Sequence, residues 1–123
     1  MSTKGDTFYA LSSAPGRSAI SSTRISGPMC LEVTSKLTKT NKNLFIHKKA
    51  TIVNIYNINN SLIDKVIVVY FKGPNSFTGD DLVEIHTHGN PKITQNLFNE
   101  LNHLGVRLAD PGEFTRTAYL NKK

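Results

Sequence analysis

Glu84, His86 and His88 stand at every second position of one short run, LVEIHTH, residues 82–88. Side chains alternate across a strand, so an extended run puts these three on one face and Val83, Ile85 and Thr87 on the other. A carboxylate and two imidazoles in one row admit three readings. The plainest is a half-exposed strand with its polar side outward. A second is a metal site, because Glu-x-His-x-His aims three ligands from one face. The third is the wall of a binding pocket, in which Glu84 accepts hydrogen bonds from a ligand with two adjacent donors. The row alone does not choose among them.

The segments around the row indicate how it is positioned. Ahead of it, GPNSFTGDD (residues 73–81) is dense in residues that turn the chain or bond their own backbone. Behind it, Asn90-Pro91 reads as an N-cap followed by a first helical residue. Ile93, Leu97, Leu101 and Leu104 then form one apolar stripe that Gly105 ends. Residues 7–12, 19–25, 51–58, 63–71 and 106–109 suit strands, with a hairpin turn at Asn59-Asn60-Ser61. The apolar run at residues 66–71 suggests a central strand. A tight turn is expected at Ala14-Pro15-Gly16-Arg17. Pro28 is placed in the first turn of a helix whose stripe is Met29, Val33 and Leu37. Asp110-Pro111-Gly112 leads into another helix. Strands and helices mix without strict alternation, so the expected class is α+β, a mixed sheet with packed helices, in one domain over residues 1–123.

Bulk properties narrow the function. The chain has 123 residues, 38% of them hydrophobic, and a mean hydropathy of −0.27. That is enough for one modest core. No run approaches the ~18 apolar residues of a membrane helix. The start, MSTKGDTFYA, has no apolar signal region, so a cytoplasmic protein is expected, or a mitochondrial one if the host is eukaryotic. A single cysteine, Cys30, excludes an internal disulfide. The net charge is +6 and the isoelectric point 9.6, with Lys36, Lys39, Lys42, Lys48 and Lys49 crowded together. These lysines read as a solvated surface or a phosphate-contacting patch, and they lack the interleaved aromatics of a nucleic-acid motif.

Three blocks occur in order: DTFYALSSAPGRSAISSTRISGP (residues 6–28), GPNSFTGDDLVEIHTHGNP (residues 73–91) and GVRLADPGEFTRTAYLNKK (residues 105–123). Together they resemble the N-terminal domain of the MnmE/TrmE family of tRNA-modification GTPases. The family pattern runs approximately PGRGGIGVVRISGP, then FPGPNSFTGEDVVE followed by HGGP, then GxRLAxPGEFTxRAFLNGK. The resemblance implies a fold like the folate-binding glycine-cleavage T-protein and a homodimer. It also implies a bound one-carbon tetrahydrofolate, in the 5-formyl or 5,10-methylene form. In that family the whole enzyme uses GTP, magnesium and potassium, and works with a MnmG-type flavoprotein on the wobble uridine of tRNA.

Residue by residue, the resemblance assigns folate contacts to Arg24, Glu84 and Lys123, and it assigns no catalytic residue and no metal ligand. A pterin offers an exocyclic amine beside a ring N–H, which a carboxylate can accept together, and folate's glutamate tail is anionic. His88 matches the family's HGGP histidine and is expected to bond a neighbouring loop; His86 falls at a variable position. Asn75, Ser76, Thr78 and Gly79 are expected to shape the loop beside the pocket. The chain departs from the pattern at Ser18, Ala19, Ser21, Ser22, Thr23, Asn90 and Thr117. Asn90 replaces a glycine and would tolerate left-handed geometry. No G-x-x-x-x-G-K-[ST] phosphate loop is present, so the chain alone is not expected to hydrolyse GTP, and its own enzymatic status stays open. Two alternatives also stay open: a structural dimerisation module without folate, and a domain of a T-protein-like folate-dependent aminomethyltransferase.

Overall fold

Six strands form one mixed sheet in the computed structural model, which describes residues 6–12 and 19–122. The strands are β1 (Phe8–Leu11), β2 (Ile20–Ser26), β3 (Ala50–Tyr56), β4 (Leu62–Phe71), β5 (Leu82–His88) and β6 (Arg107–Leu108). The helices are α1 (Cys30–Thr38), α2 (Pro91–His103) and α3 (Glu113–Leu120), with a 3-10 turn at Lys42–Leu44. Across the sheet the order is β3-β4-β5-β2-β1-β6. Neighbours are antiparallel except β1 and β6, which run parallel. The α+β class expected from the sequence is the class observed.

One face of the sheet carries the core. Tyr9, Ile25, Val66, Val68, Val83 and Ile85 point to it and meet Val33 and Leu37 of α1 and Leu97 and Leu101 of α2. The α2 stripe is as the spacing predicts, and Asn90 caps it by accepting from the Lys92 N–H at 2.8 Å. Asn90 has φ −110, so this position makes no left-handed demand. Gly105 does, at φ +87, and it follows the helix end directly. Tyr9 OH donates to Asn102 Oδ1 at 2.7 Å, which ties α2 to β1.

Helix α1 differs from its sequence reading. It begins at Cys30 with Met29 as its cap residue, so Pro28 precedes the helix rather than opening it. Met29 is exposed, and the buried stripe is Cys30, Val33 and Leu37. Four-residue steps lead back from Val33 to Met29, but one helix face also admits a three-residue step, and packing selects the one that buries the Cys30 thiol. Burial, with Asp81 nearby, pushes the Cys30 thiol up to about 12, so it is no nucleophile. The apolar run in β4 is also resolved: the strand is flanked on both sides, yet Ile67 faces away from the core, 40% exposed. Strand bounds move by one or two residues from their expected positions, and the turn expected at residues 14–17 lies outside the described residues.

Among the described residues the opposite face is covered at one end only. Phe8, Ser26 and Leu82 lie in one cross-strand row on that face. Phe114 of α3 packs edge-on against Phe8, with ring centroids 4.9 Å apart. Helix α3 is anchored by Glu113, which accepts from Arg107 Nη1 at 2.8 Å and Nη2 at 2.5 Å. The Asp110 N–H donates to the same carboxylate at 2.9 Å. Arg107 also reaches Asp6, and its guanidinium lies 5.2 Å from the Phe8 ring centre. Glu113 is 2% exposed. The Arg107 hydrogen bonds outweigh burial and hold its carboxyl below the usual range.

A group whose folded pKa is depressed stabilises the fold above its unfolded value and loses that contribution as pH falls. Glu113→Gln is therefore expected to lower stability at pH 7 by about 1–3 kcal/mol in chemical denaturation. The deficit should shrink as pH drops below about 4.3, where the unfolded carboxyl protonates.

Candidate functional site

Beyond the covered end, the next row of the open face is Ala10, Arg24, Glu84 and Val69, one from each of β1, β2, β5 and β4. Arg24 and Glu84 are direct cross-strand partners, 60 residues apart in the chain. Arg24 Nε donates to Glu84 Oε2 at 3.0 Å. The row after it holds Ser22, His86 and Ile67, and His86 Nε2 lies 3.1 Å from Glu84 Oε1. The carboxylate is 17% exposed, so it is largely desolvated yet still reachable from solvent.

The loop at residues 73–81 forms a wall beside this floor. Gly73 N–H donates to Asp81 Oδ1 at 2.9 Å, closing the loop across its base. Ser76 Oγ donates to the Asp80 carbonyl and accepts from the Gly79 N–H. Gly79 has φ +86, and a Cβ there would come within 2.8 Å of the Asn121 side chain. Thr78 Oγ1 lies 2.8 Å from Ser26 Oγ in a buried contact, and Asn121 Nδ2 donates to the Thr78 carbonyl at 2.8 Å. The loop is thus tied to β2 below and to the end of α3 beside it. The shaping role expected of Ser76, Thr78 and Gly79 is what the geometry shows.

The tethered loop presents Phe77. Its ring, 45% exposed, lies 4.9 Å from the Arg24 guanidinium carbon. The aromatic thus restrains the same arginine that grips Glu84. Sequence reading missed Phe77, because its partner is distant in the chain and a lone aromatic in a loop gives no signal. A cleft of about 470 Å³ lined by Phe77, Ser76, Thr115, Ala118 and Tyr119 continues from this corner. A larger groove, about 540 Å³, lies elsewhere, around Asn57, Asn96, Asn99 and Glu100. It contains none of the paired charges, so the chemistry points to the corner rather than to the bigger groove.

The row read from sequence divides. Glu84 and His86 face the corner together, whereas His88 turns away. Its Nδ1 lies 2.9 Å from Asp64 Oδ1, and its backbone N–H donates to Asp64 Oδ2 at 2.9 Å. The partner expected for His88 was a loop; it is a carboxylate of β4. Asp64 is buried where the β3–β4 register shifts, so it caps the end of β5 in place of a ladder bond. No three His, Cys, Asp or Glu side chains are arranged to hold a metal ion among the described residues. Lys123, the third expected contact, lies outside the described residues, as do Gly16, Arg17 and Ser18 of the expected turn. Thr117, a departure from the pattern, is buried in α3. The crowded lysines, read as a solvated surface or a phosphate-contacting patch, have no ion pair among the described residues, and Lys39 lies 5.9 Å from the centre of the Tyr56 ring.

Comparison with known proteins places this arrangement in a family. Residues 7–123 match the family described as "GTP-binding protein TrmE N-terminus", and the chain belongs to that family. The tRNA modification GTPase MnmE of Campylobacter curvus is 43% identical over 123 residues, all of this chain and 27% of the relative. That of Aliarcobacter butzleri is 42% identical over 98% of the chain and 26% of the relative. That of Rickettsia rickettsii is 47% identical over 96% of the chain and 26% of the relative. The chain thus spans about a quarter of the length of these relatives. Among the described residues no helix is long and apolar enough to cross a membrane.

Thr78→Val tests the tether of the loop. It leaves the buried Ser26 hydroxyl unpaired and is expected to cost about 1–3 kcal/mol in denaturant unfolding. Adding Ser26→Ala should recover part of the loss, because removing both polar partners is cheaper than orphaning one.

Proposed function

We propose that the chain is the N-terminal domain of a tRNA modification GTPase and binds a one-carbon tetrahydrofolate at the Arg24–Glu84 corner. One observation carries this reading: a half-buried carboxylate, clamped by an arginine from a neighbouring strand, faces an aromatic wall on the open side of the sheet. Among the described residues each Glu84 oxygen has one protein partner, and a carboxylate oxygen can accept twice. Glu84 can therefore take the paired N–H donors of a pterin without giving up Arg24. Phe77 and the cleft beside it suit the flat, apolar part of such a ligand. Lys123 would add a cation for the anionic tail. The donor set fits the group, whose own contribution is the carried carbon.

The same face supports a homodimer, the second half of the reading. Ile52 and Ile67 are register partners, Ile67 pairs with His86, and Ile20 pairs with His88. All three isoleucines are exposed. An apolar strip on an otherwise uncovered sheet is suited to a second copy. In this reading the full-length protein supplies GTP hydrolysis with magnesium and potassium and acts on wobble uridine with a flavoprotein partner, in the cytoplasm. The printed names of the relatives favour a tRNA modification GTPase over a T-protein-like aminomethyltransferase, although the fold expectation of T-protein likeness travels with the folate reading. A dimerisation module without folate would share the isoleucine strip but give no use to the Glu84 corner.

Titration of the purified chain with 5-formyl-tetrahydrofolate tests the reading. Glu84→Gln replaces an acceptor with a donor facing the ligand's donors, and affinity should fall roughly 10- to 100-fold. Circular dichroism and melting should change little, because Glu84 faces the corner rather than the core. Equal affinity in parent and variant removes Glu84 from the site. Sedimentation at tens of micromolar, on the order of a weak interface's Kd, should show dimer; monomer alone contradicts the strip's role.

A further inference from the structure

Glu84 is held from two sides, and the folate reading uses only one of them. Arg24 Nε donates to Oε2 at 3.0 Å, while His86 Nε2 stands 3.1 Å from Oε1. His86 is one third exposed, so its ring can exchange protons with solvent. Its register partners are Ser22 on β2 and Ile67 on β4, neither of which titrates. The charged or titratable groups at flanking positions of this face are Glu84 and His88 on β5, Arg24 on β2 and Lys65 on β4. Of these, Glu84 alone is bonded to His86, and His88 is engaged by Asp64.

We propose that His86 is a positioning residue that holds the Glu84 carboxylate and sets how strongly it accepts from the ligand. The inference rests on the folate reading and deepens it. An Nε2–H bond to Oε1 restricts the carboxylate while leaving that oxygen a second lone pair for the ligand. With His86 neutral, one cation balances Glu84. Protonated His86 sets a second positive charge against the same carboxylate, which weakens its pull on incoming N–H donors. Protonation of His86 should therefore lower ligand affinity.

The test is calorimetric titration with 5-formyl-tetrahydrofolate at pH 5.5, 6.5 and 7.5, on the parent, His86→Gln and His86→Ala. The glutamine amide can still donate to Oε1 but cannot ionise. His86→Gln should match the parent at pH 7.5 and lose the parent's severalfold weakening at pH 5.5. His86→Ala should bind about 5-fold more weakly at every pH, the equivalent of one lost hydrogen bond of about 1 kcal/mol. If all three proteins share one affinity and one pH slope, His86 has no such role, and the folate reading stands without it. If the parent binds no folate at any pH, the inference falls together with the reading.

Discussion

The bidentate grip of Arg107 on buried Glu113 decides where the open face of the sheet ends. It seats α3 across Phe8, so one row of the face becomes core and the next row, Arg24 and Glu84, becomes its border. Asn121, just past α3, then holds the loop at residues 73–81 through the Thr78 carbonyl. The Arg24–Glu84 corner exists because a covered and an uncovered part of one sheet meet there. A carboxylate at such a border is desolvated enough to bind strongly and open enough to be reached. Glu113 is buried while Arg107 stays partly exposed, so the pair fixes the seat of α3 from the edge of the covered region.

The two faces of the sheet divide the labour. The face against α1 and α2 is a continuous apolar core, in which even Cys30 is an inert packing residue. The other face joins charge pairs to exposed isoleucines. An open apolar strip on a small domain is an aggregation hazard unless something covers it. The strip meets the charged corner where Ile67 pairs with His86.

Local signals were legible in the sequence, and long-range ones were not. The alternation in residues 82–88 assigned Val83, Ile85 and Thr87 to the core and Glu84 and His86 to the open face, as observed. Asn90, Pro91 and Gly105 marked both ends of α2 because caps act within a few residues. The phase of α1 was misjudged because Met29, four residues before Val33, and Cys30, three before it, both fit one helix face, and only packing against the sheet separates them. Sequence carried no sign that β2 lies beside β5, which makes Arg24 and Glu84 partners. Family resemblance named both as ligand contacts but not as partners of each other, and Phe77 over Arg24 and Asp64 under His88 escaped altogether. Each of these contacts joins residues remote in sequence, where periodicity is silent.

The account stands or falls on where the ligand sits. Backbone NMR of the isotopically labelled chain, titrated with 5-formyl-tetrahydrofolate, reads that position directly. The account predicts saturable shifts concentrated on Arg24, Phe77, Glu84 and His86, with residues of α1 and the groove around Glu100 unmoved. Shifts centred on that groove, or none at a concentration well above the Kd measured by calorimetry, would contradict it.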